Sequence, residues 1–215
     1  RTRVGRPRYH ARMPQNTVSV IDLFSIGIGP SSSHTMGPMV AGARFLDVLR
    51  AAPFRAHGLR ASLHGSLAFT GKGHATDRAT ILGLAGFVPA TLDMEAAEAA
   101  LARNRDSKLL SPEGLGDLAF DPDRDLRFDY DNALPGHANG MTLSATDAQG
   151  DVIFHRIYYS IGGGFVLTDD ELARKGDEKR SDDAPKVPYP FSSAAEMLEM
   201  AASSGKSIAR MKHDN

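Results

Sequence analysis

Four glycine-rich turns divide this chain, and they confine its helices and strands to the pieces that fit between them. The first is Gly27-Ile28-Gly29-Pro30-Ser31-Ser32-Ser33-His34-Thr35, where glycines, a proline and hydroxyl residues exclude a regular element. Gly71-Lys72-Gly73-His74-Ala75-Thr76-Asp77 is the second. Leu134-Pro135-Gly136-His137-Ala138-Asn139-Gly140 is the third, and Gly162-Gly163-Gly164 the fourth. No internal repeat or low-complexity tract accompanies them.

Hydrophobic periodicity fills the intervals. Met36, Met39, Val40, Ala43, Leu46 and Leu49 recur at spacings of three and four and predict a helix over residues 35–50. Pro38 is tolerable there because it lies in the first turn. Leu59, Ala61 and Leu63 alternate with Arg60, Ser62 and His64, the pattern of a half-buried strand. A helix is expected over residues 76–85, with Ala79, Leu82 and Ala85 on one side. Asp93 can cap another over residues 94–103. Residues 105–122 read as polar loop. Strands are expected over residues 126–130, 141–145 and 152–160, the last two flanking the hairpin turn Asp147-Ala148-Gln149-Gly150. The triple glycine ends the strand run, and the charged residues 169–188 read as a mobile loop or linker. Ser193 and Glu196 form a capping box for a helix that stops before Gly205, and a further helix begins near Ser207. The class that follows is α+β, with helices packed on one face of a mainly antiparallel sheet.

Composition removes several function classes. Lys and Arg total 25 against 26 Asp and Glu, a formal charge of -1, so the basic surplus of a nucleic-acid grip is missing. No apolar run approaches the roughly 20 residues of a membrane span. Arg1, Arg3, Arg6, Arg8 and Arg12 have no apolar stretch close behind them, unlike a secretory signal. With 0 cysteines, the chain can form no disulfide and hold no thiolate-ligated iron–sulfur cluster.

Each turn carries residues capable of chemistry and has a plain structural reading beside it. Ser31, Ser32, Ser33, His34 and Thr35 stand where a helix begins. There the macrodipole and unpaired N–H groups favour a carboxylate or phosphate, although hydroxyls at that place also serve as ordinary caps. Lys72, His74 and Asp77 lie in a turn that lacks the full P-loop spacing and can simply be a tight polar bend. His137 and Asn139 alternate ahead of a strand and can point the same way, while an Asn-Gly turn explains Asn139 alone. The triple glycine permits close backbone approach or a flexible exit. None of the 8 histidines falls in a zinc pattern. No GxSxG elbow accompanies Ser33 and His34. From the residues alone, the reading is a small-anion site built from turns.

Taken in order, the blocks DLFSIGIGPSSSHTMGPM, GSLAFTGKGHATD, GLAGFVPATLD, HANGM, YYSIGGGFV and VPYPF resemble the N-terminal half of bacterial iron–sulfur L-serine dehydratase, also called L-serine ammonia-lyase. The resemblance runs over residues 18–215. It implies a β domain like the allosteric substrate-binding domain of phosphoglycerate dehydrogenases. In the family a larger helical domain follows, whose cysteines hold a [4Fe–4S] cluster that acts on the serine hydroxyl as a Lewis acid. The reaction gives pyruvate and ammonia, in serine catabolism and gluconeogenesis. For this chain the resemblance implies a flexible tail over residues 1–17, the β domain over 18–168 and a charged linker over 169–190. Residues 191–215 then start the connection to a catalytic domain, with the chain cut at Asn215. Ser31, Ser32, Ser33, His34 and Thr35 would be the wall of the active site that holds the substrate carboxylate. His137 and Asn139 would line the same cleft, and Lys72, His74 and Asp77 would line the domain interface or build the turn. No catalytic residue, metal ligand or cofactor is expected in this chain, which alone should be inactive. The expected partners are L-serine, the catalytic domain of the same enzyme and further copies in a cytoplasmic homo-oligomer, without nucleic acid or membrane. The alternative is a serine-sensing allosteric domain without a direct part in the active site.

Overall fold

The computed structural model describes residues 28–178, 187–191 and 193–215. The tail expected over residues 1–17 and the first residues of the expected β domain, 18–27, lie outside them. Two compact units divide between Asp170 and Glu171.

The first unit is organised by β1 (Gly58–Gly65), where Leu59, Ala61 and Leu63 point inward as their alternation predicts. β1 pairs antiparallel with β5 (Asn139–Thr146), which pairs antiparallel with β6 (Val152–Gly162) around the expected turn at residues 147–150. On its other edge β1 runs parallel to β3 (Leu118–Ala119) and β4 (Leu126–Asp129), and β2 (Leu109–Leu110) extends the sheet beyond β3. The result is a seven-stranded, mostly antiparallel sheet in the order β2-β3-β1-β5-β6-β7, with β4 beside β1. The architecture is therefore α+β.

β7 (Phe165–Thr168) corrects the reading of the triple glycine. Gly162, Gly163 and Gly164 have φ of +98°, +61° and +80°, and they fold the chain back so that β7 pairs with β6. The segment is a hairpin turn rather than a flexible exit. Residues 105–122 are likewise more ordered than a loop. Buried Asn104 donates from its amide to the carbonyls of Leu109 and Phe120, at 3.1 and 2.9 Å, and holds β2 and β3 in place. The short helix α5 (Pro122–Asp125) follows.

α1 (Gly37–Ala51), preceded by a single π-helical turn over Ser32–Met36, lies on the apolar face of the sheet, and α3 (Thr76–Leu84) packs against α1. Between β1 and α3 come the short helix α2 (Ser66–Phe69) and a 3₁₀ turn over Lys72–His74. The buried face of α1 is Pro38, Met39, Ala41, Gly42, Phe45, Leu46 and Leu49. It is rotated from the expected stripe, since Ala43 is only half-buried while Phe45 is fully buried. Phe45 stacks on Phe154 at 5.9 Å and meets Tyr158 edge-on at 6.5 Å, an arrangement that aromatic quadrupoles favour. α1 and α3 touch backbone to backbone, because a Cβ on Gly42 would stand 2.6 Å from the Gly83 carbonyl carbon. α4 (Met94–Ser107) is capped by Asp93 as expected.

α6 (Asp169–Glu178) is helical within the stretch read as linker. In the second unit, α7 (Ala194–Ser204) starts at the Ser193 cap and ends at Gly205, and α8 (Ile208–Asp214) starts at Ser207. Asn215 closes this unit on Tyr189 through both its amide nitrogen and its oxygen. Among the described residues no helix is long and apolar enough to cross a membrane.

Candidate functional site

The four glycine-rich turns meet around the start of α1. Ser31 occupies the N-cap position, with extended backbone at φ -133° and ψ 123°, yet its side chain makes no cap hydrogen bond. Its hydroxyl turns instead to Ser33 Oγ at 3.2 Å and His34 Nδ1 at 3.3 Å. Ser33 Oγ lies 3.0 Å from the same nitrogen. The ordinary cap reading therefore fails, and the first amides of the turn keep no side-chain acceptor. The Gly37 N–H reaches back five residues to the Ser32 carbonyl, the π geometry that recurs at functional sites.

The other imidazole nitrogen is held by the second block. His34 Nε2 stands 3.1 Å from Ser66 Oγ and 2.9 Å from Thr70 Oγ1. Thr70 spends its one hydroxyl proton on the Ser66 carbonyl at 2.8 Å, so toward His34 it accepts. That assigns the proton to Nε2 and leaves Nδ1 to accept from Ser33 or Ser31. His74 donates from Nδ1 to the Thr70 carbonyl at 2.8 Å, and its ring lies 4.8 Å from that of His34. Burial lowers the His34 pKa below its ordinary value, the neighbouring His74 lowers it further, and a hydrogen bond at Ser66 opposes both. His34 is thus a neutral imidazole in a ring of hydroxyls. A serine does sit at its Nδ1, but Nε2 faces two hydroxyls and no carboxylate, so this is not a nucleophilic triad.

The remaining sequence candidates separate. Ser32 is exposed on the turn. Thr35 faces inward, 1% exposed, with its hydroxyl on the Ser31 carbonyl at 2.5 Å, so it builds the turn instead of lining it. His137 accepts from the Asn139 N–H at 3.1 Å, and Asn139 donates to the Ser160 carbonyl at 3.2 Å. Their block joins the cluster through backbone, since the Ser66 N–H donates to the Ala138 carbonyl at 2.8 Å. Lys72 stands over the Phe128 ring at 5.5 Å, and Asp77 accepts from the Arg78 N–H at the start of α3. Neither is hydrogen-bonded to the cluster among the described residues. Sequence reasoning passed over Ser66 and Thr70. Their signal was two hydroxyls four residues apart, ahead of a glycine-rich turn. His64, the buried histidine among the described residues, is satisfied by the Asn132 carbonyl at 2.8 Å and Thr142 Oγ1 at 3.1 Å. No group of three or more metal-ligating side chains is found among the described residues.

The cluster draws on four of the blocks that carry the resemblance. A family model described as serine dehydratase beta chain matches residues 19–171. The chain belongs to the serine dehydratase beta-chain family. It is 42% identical over 193 residues to an L-serine dehydratase of Helicobacter pylori, a match covering 90% of this chain and 42% of that protein. An L-serine dehydratase of Streptomyces coelicolor is 42% identical over 200 residues, covering 92% and 43%. L-serine dehydratase 2 of Escherichia coli is 40% identical over 202 residues, again covering 92% and 43%. This beta chain therefore spans about two fifths of the length of the curated relatives it matches.

Proposed function

We propose that this beta chain is the β-domain part of an L-serine ammonia-lyase and forms the wall of its cleft that binds the substrate carboxylate. The carrying observation is the uncapped start of α1. The Ser31 and Ser33 hydroxyls are turned onto neutral His34, which leaves helix-end amides and the exposed Ser32 hydroxyl as donors for an anion. A carboxylate there would gain roughly 0.3–1 kcal/mol from the helix end and about 1.5–3 kcal/mol from a charge-assisted hydrogen bond. That total corresponds to a dissociation constant on the order of 10 mM, the affinity of a half-site that a partner domain completes.

The chemistry at the serine hydroxyl belongs to another part of the enzyme in this reading. The family's [4Fe–4S] cluster needs cysteine thiolates, and this chain has 0 cysteines. Its residues do not fit that group. The role left to them is to orient the carboxylate and to keep an uncharged imidazole beside it. The catalytic domain of the same enzyme is the partner this requires, and the cytoplasm is the compartment that fits an amino-acid lyase.

The test is an NMR titration of L-serine into the chain, with a Ser33→Ala, His34→Ala variant beside it. Millimolar L-serine should move the amides of residues 31–35 and the His34 ring, acetate should move the same amides, and the variant should lose both responses. Shifts confined to another part of the domain would favour a serine-sensing site instead. No response at tens of millimolar, with the chain folded, would sink the carboxylate-wall reading.

A further inference from the structure

The side chain of Ser160, near the end of β6, is in none of the hydrogen bonds that build the cluster, yet it touches the segment that carries it. Its hydroxyl is buried, in a residue 3% exposed, and has no hydrogen-bond partner among the described residues. An orphaned buried hydroxyl is costly, so a position that keeps one calls for a reason. The reason lies at the helix start. A Cβ on Gly37 would overlap Ser160 Oγ and stand 2.6 Å from Ser160 Cβ, so the first residue of α1 rests directly on this side chain. One turn of chain away, a Cβ on Gly164 would come within 3.0 Å of Met36 Cε, a second contact between the β6–β7 hairpin and the same helix start. Gly37 is also the residue whose N–H closes the π turn on the Ser32 carbonyl. The Ser160 carbonyl meanwhile accepts from Asn139, tying the third glycine-rich block to the same point.

We propose that Ser160 is a positioning residue: its contact with Gly37 fixes the height of the π turn above β6 and so sets where His34 stands between Ser33 and the Ser66–Thr70 pair. The hairpin thereby controls a site it does not line. The functional weight of this inference rests on the carboxylate-wall reading, but the geometry is testable without it.

The experiment is a size exchange across the contact, performed on the 215-residue chain. Gly37→Ala adds a methyl where Ser160 already stands. The double variant Gly37→Ala, Ser160→Gly removes both overlapping atoms, leaving the nearest remaining atom, Ser160 Cα, at an ordinary 3.7 Å. The readout is the His34 ring, through its nitrogen chemical shifts and its titration midpoint. The wild type should show the Nε2–H form and a midpoint below that of an exposed histidine. His74, whose ring lies 4.8 Å away, titrates beside it and is followed in the same spectra. In Gly37→Ala the midpoint should rise and the tautomer preference fade, and the double variant should restore both. Ser160→Gly alone withdraws the contact without adding bulk, so it should disturb the His34 signals even if Gly37→Ala does not fold. An unchanged His34 in Ser160→Gly, or a folded double variant that fails to restore it, would overturn the proposal. L-serine added to the same samples separates the two ideas. A wild type with an ordered His34 and no serine response refutes the carboxylate wall and leaves the positioning role standing.

Discussion

Gly65 joins the cluster to the rest of the fold, and replacing it with alanine has a cost that the structure allows to be worked out. Its backbone has φ +53° and ψ -128°, a conformation that side-chain-bearing residues rarely adopt, and holding alanine there costs about 1–3 kcal/mol. An added Cβ would also stand 2.5 Å from the Ala138 carbonyl oxygen. That oxygen is the acceptor for the Ser66 N–H at 2.8 Å, so pushing it away loses a backbone hydrogen bond worth about 0.5–1.5 kcal/mol. The sum is roughly 1.5–4.5 kcal/mol. At an m-value of about 2 kcal/mol per molar urea, the unfolding midpoint should drop by roughly 1–2 M. Gly116→Ala is the control. Its φ of +73° is also positive, but nothing lies within 4 Å of its would-be Cβ, so it should cost only about 1–2 kcal/mol. Both substitutions restrict the unfolded chain equally, so the difference reports what alanine meets in the folded chain at Gly65, its rarer backbone conformation and the crowding at Ala138. If Gly65→Ala is no more destabilising than Gly116→Ala, the assigned approach of the 137–140 block to Ser66 is wrong.

Two further outcomes follow from named groups. His34 has a pKa below its ordinary value of 6.5, so as the pH falls past 6.5 the unfolded chain takes up a proton before the folded one does. Stability should therefore decline from about pH 6.5 down to the lower folded pKa. A His34→Gln variant should lose that part of the slope in urea unfolding, and parallel curves for the two proteins would contradict the assignment. Phe45, fully buried between α1 and the sheet, should cost about 3–5 kcal/mol on conversion to alanine, whereas Phe69→Ala, 69% exposed, should fall within about 1 kcal/mol of wild type. Equal losses for the two would show that the α1–sheet interface is not the core.

The elements that the sequence made legible are those whose pattern is local. β1 alternates because one of its faces is buried, and the Asp147-to-Gly150 turn announces its hairpin; both stand where expected. Where a tertiary contact decides, local pattern misleads. β2 and β3 are two residues each, too short to show any period, and they lie where the Asn104 side chain bridges the Leu109 carbonyl in β2 and the Phe120 carbonyl just after β3. The α1 stripe was displaced because Val40 and Ala43 satisfy the spacing rule as well as Gly42 and Phe45 do. A glycine gives no hydrophobic signal, yet Gly42 marks the face that meets α3. The site divides in the same way. Serines and a histidine at a helix start could be read as an anion site or as a cap, and the sequence could not choose between them. The structure removes the side-chain cap, and Ser66 and Thr70 engage the far side of the imidazole from a segment distant in sequence. Once His34 is held from that side, Ser31 and Ser33 turn toward Nδ1, the cap position loses its capping hydroxyl, and the helix end is left open. An open helix end is thus a product of a contact between segments distant in sequence, which is why the motif's hydroxyls alone could not announce it.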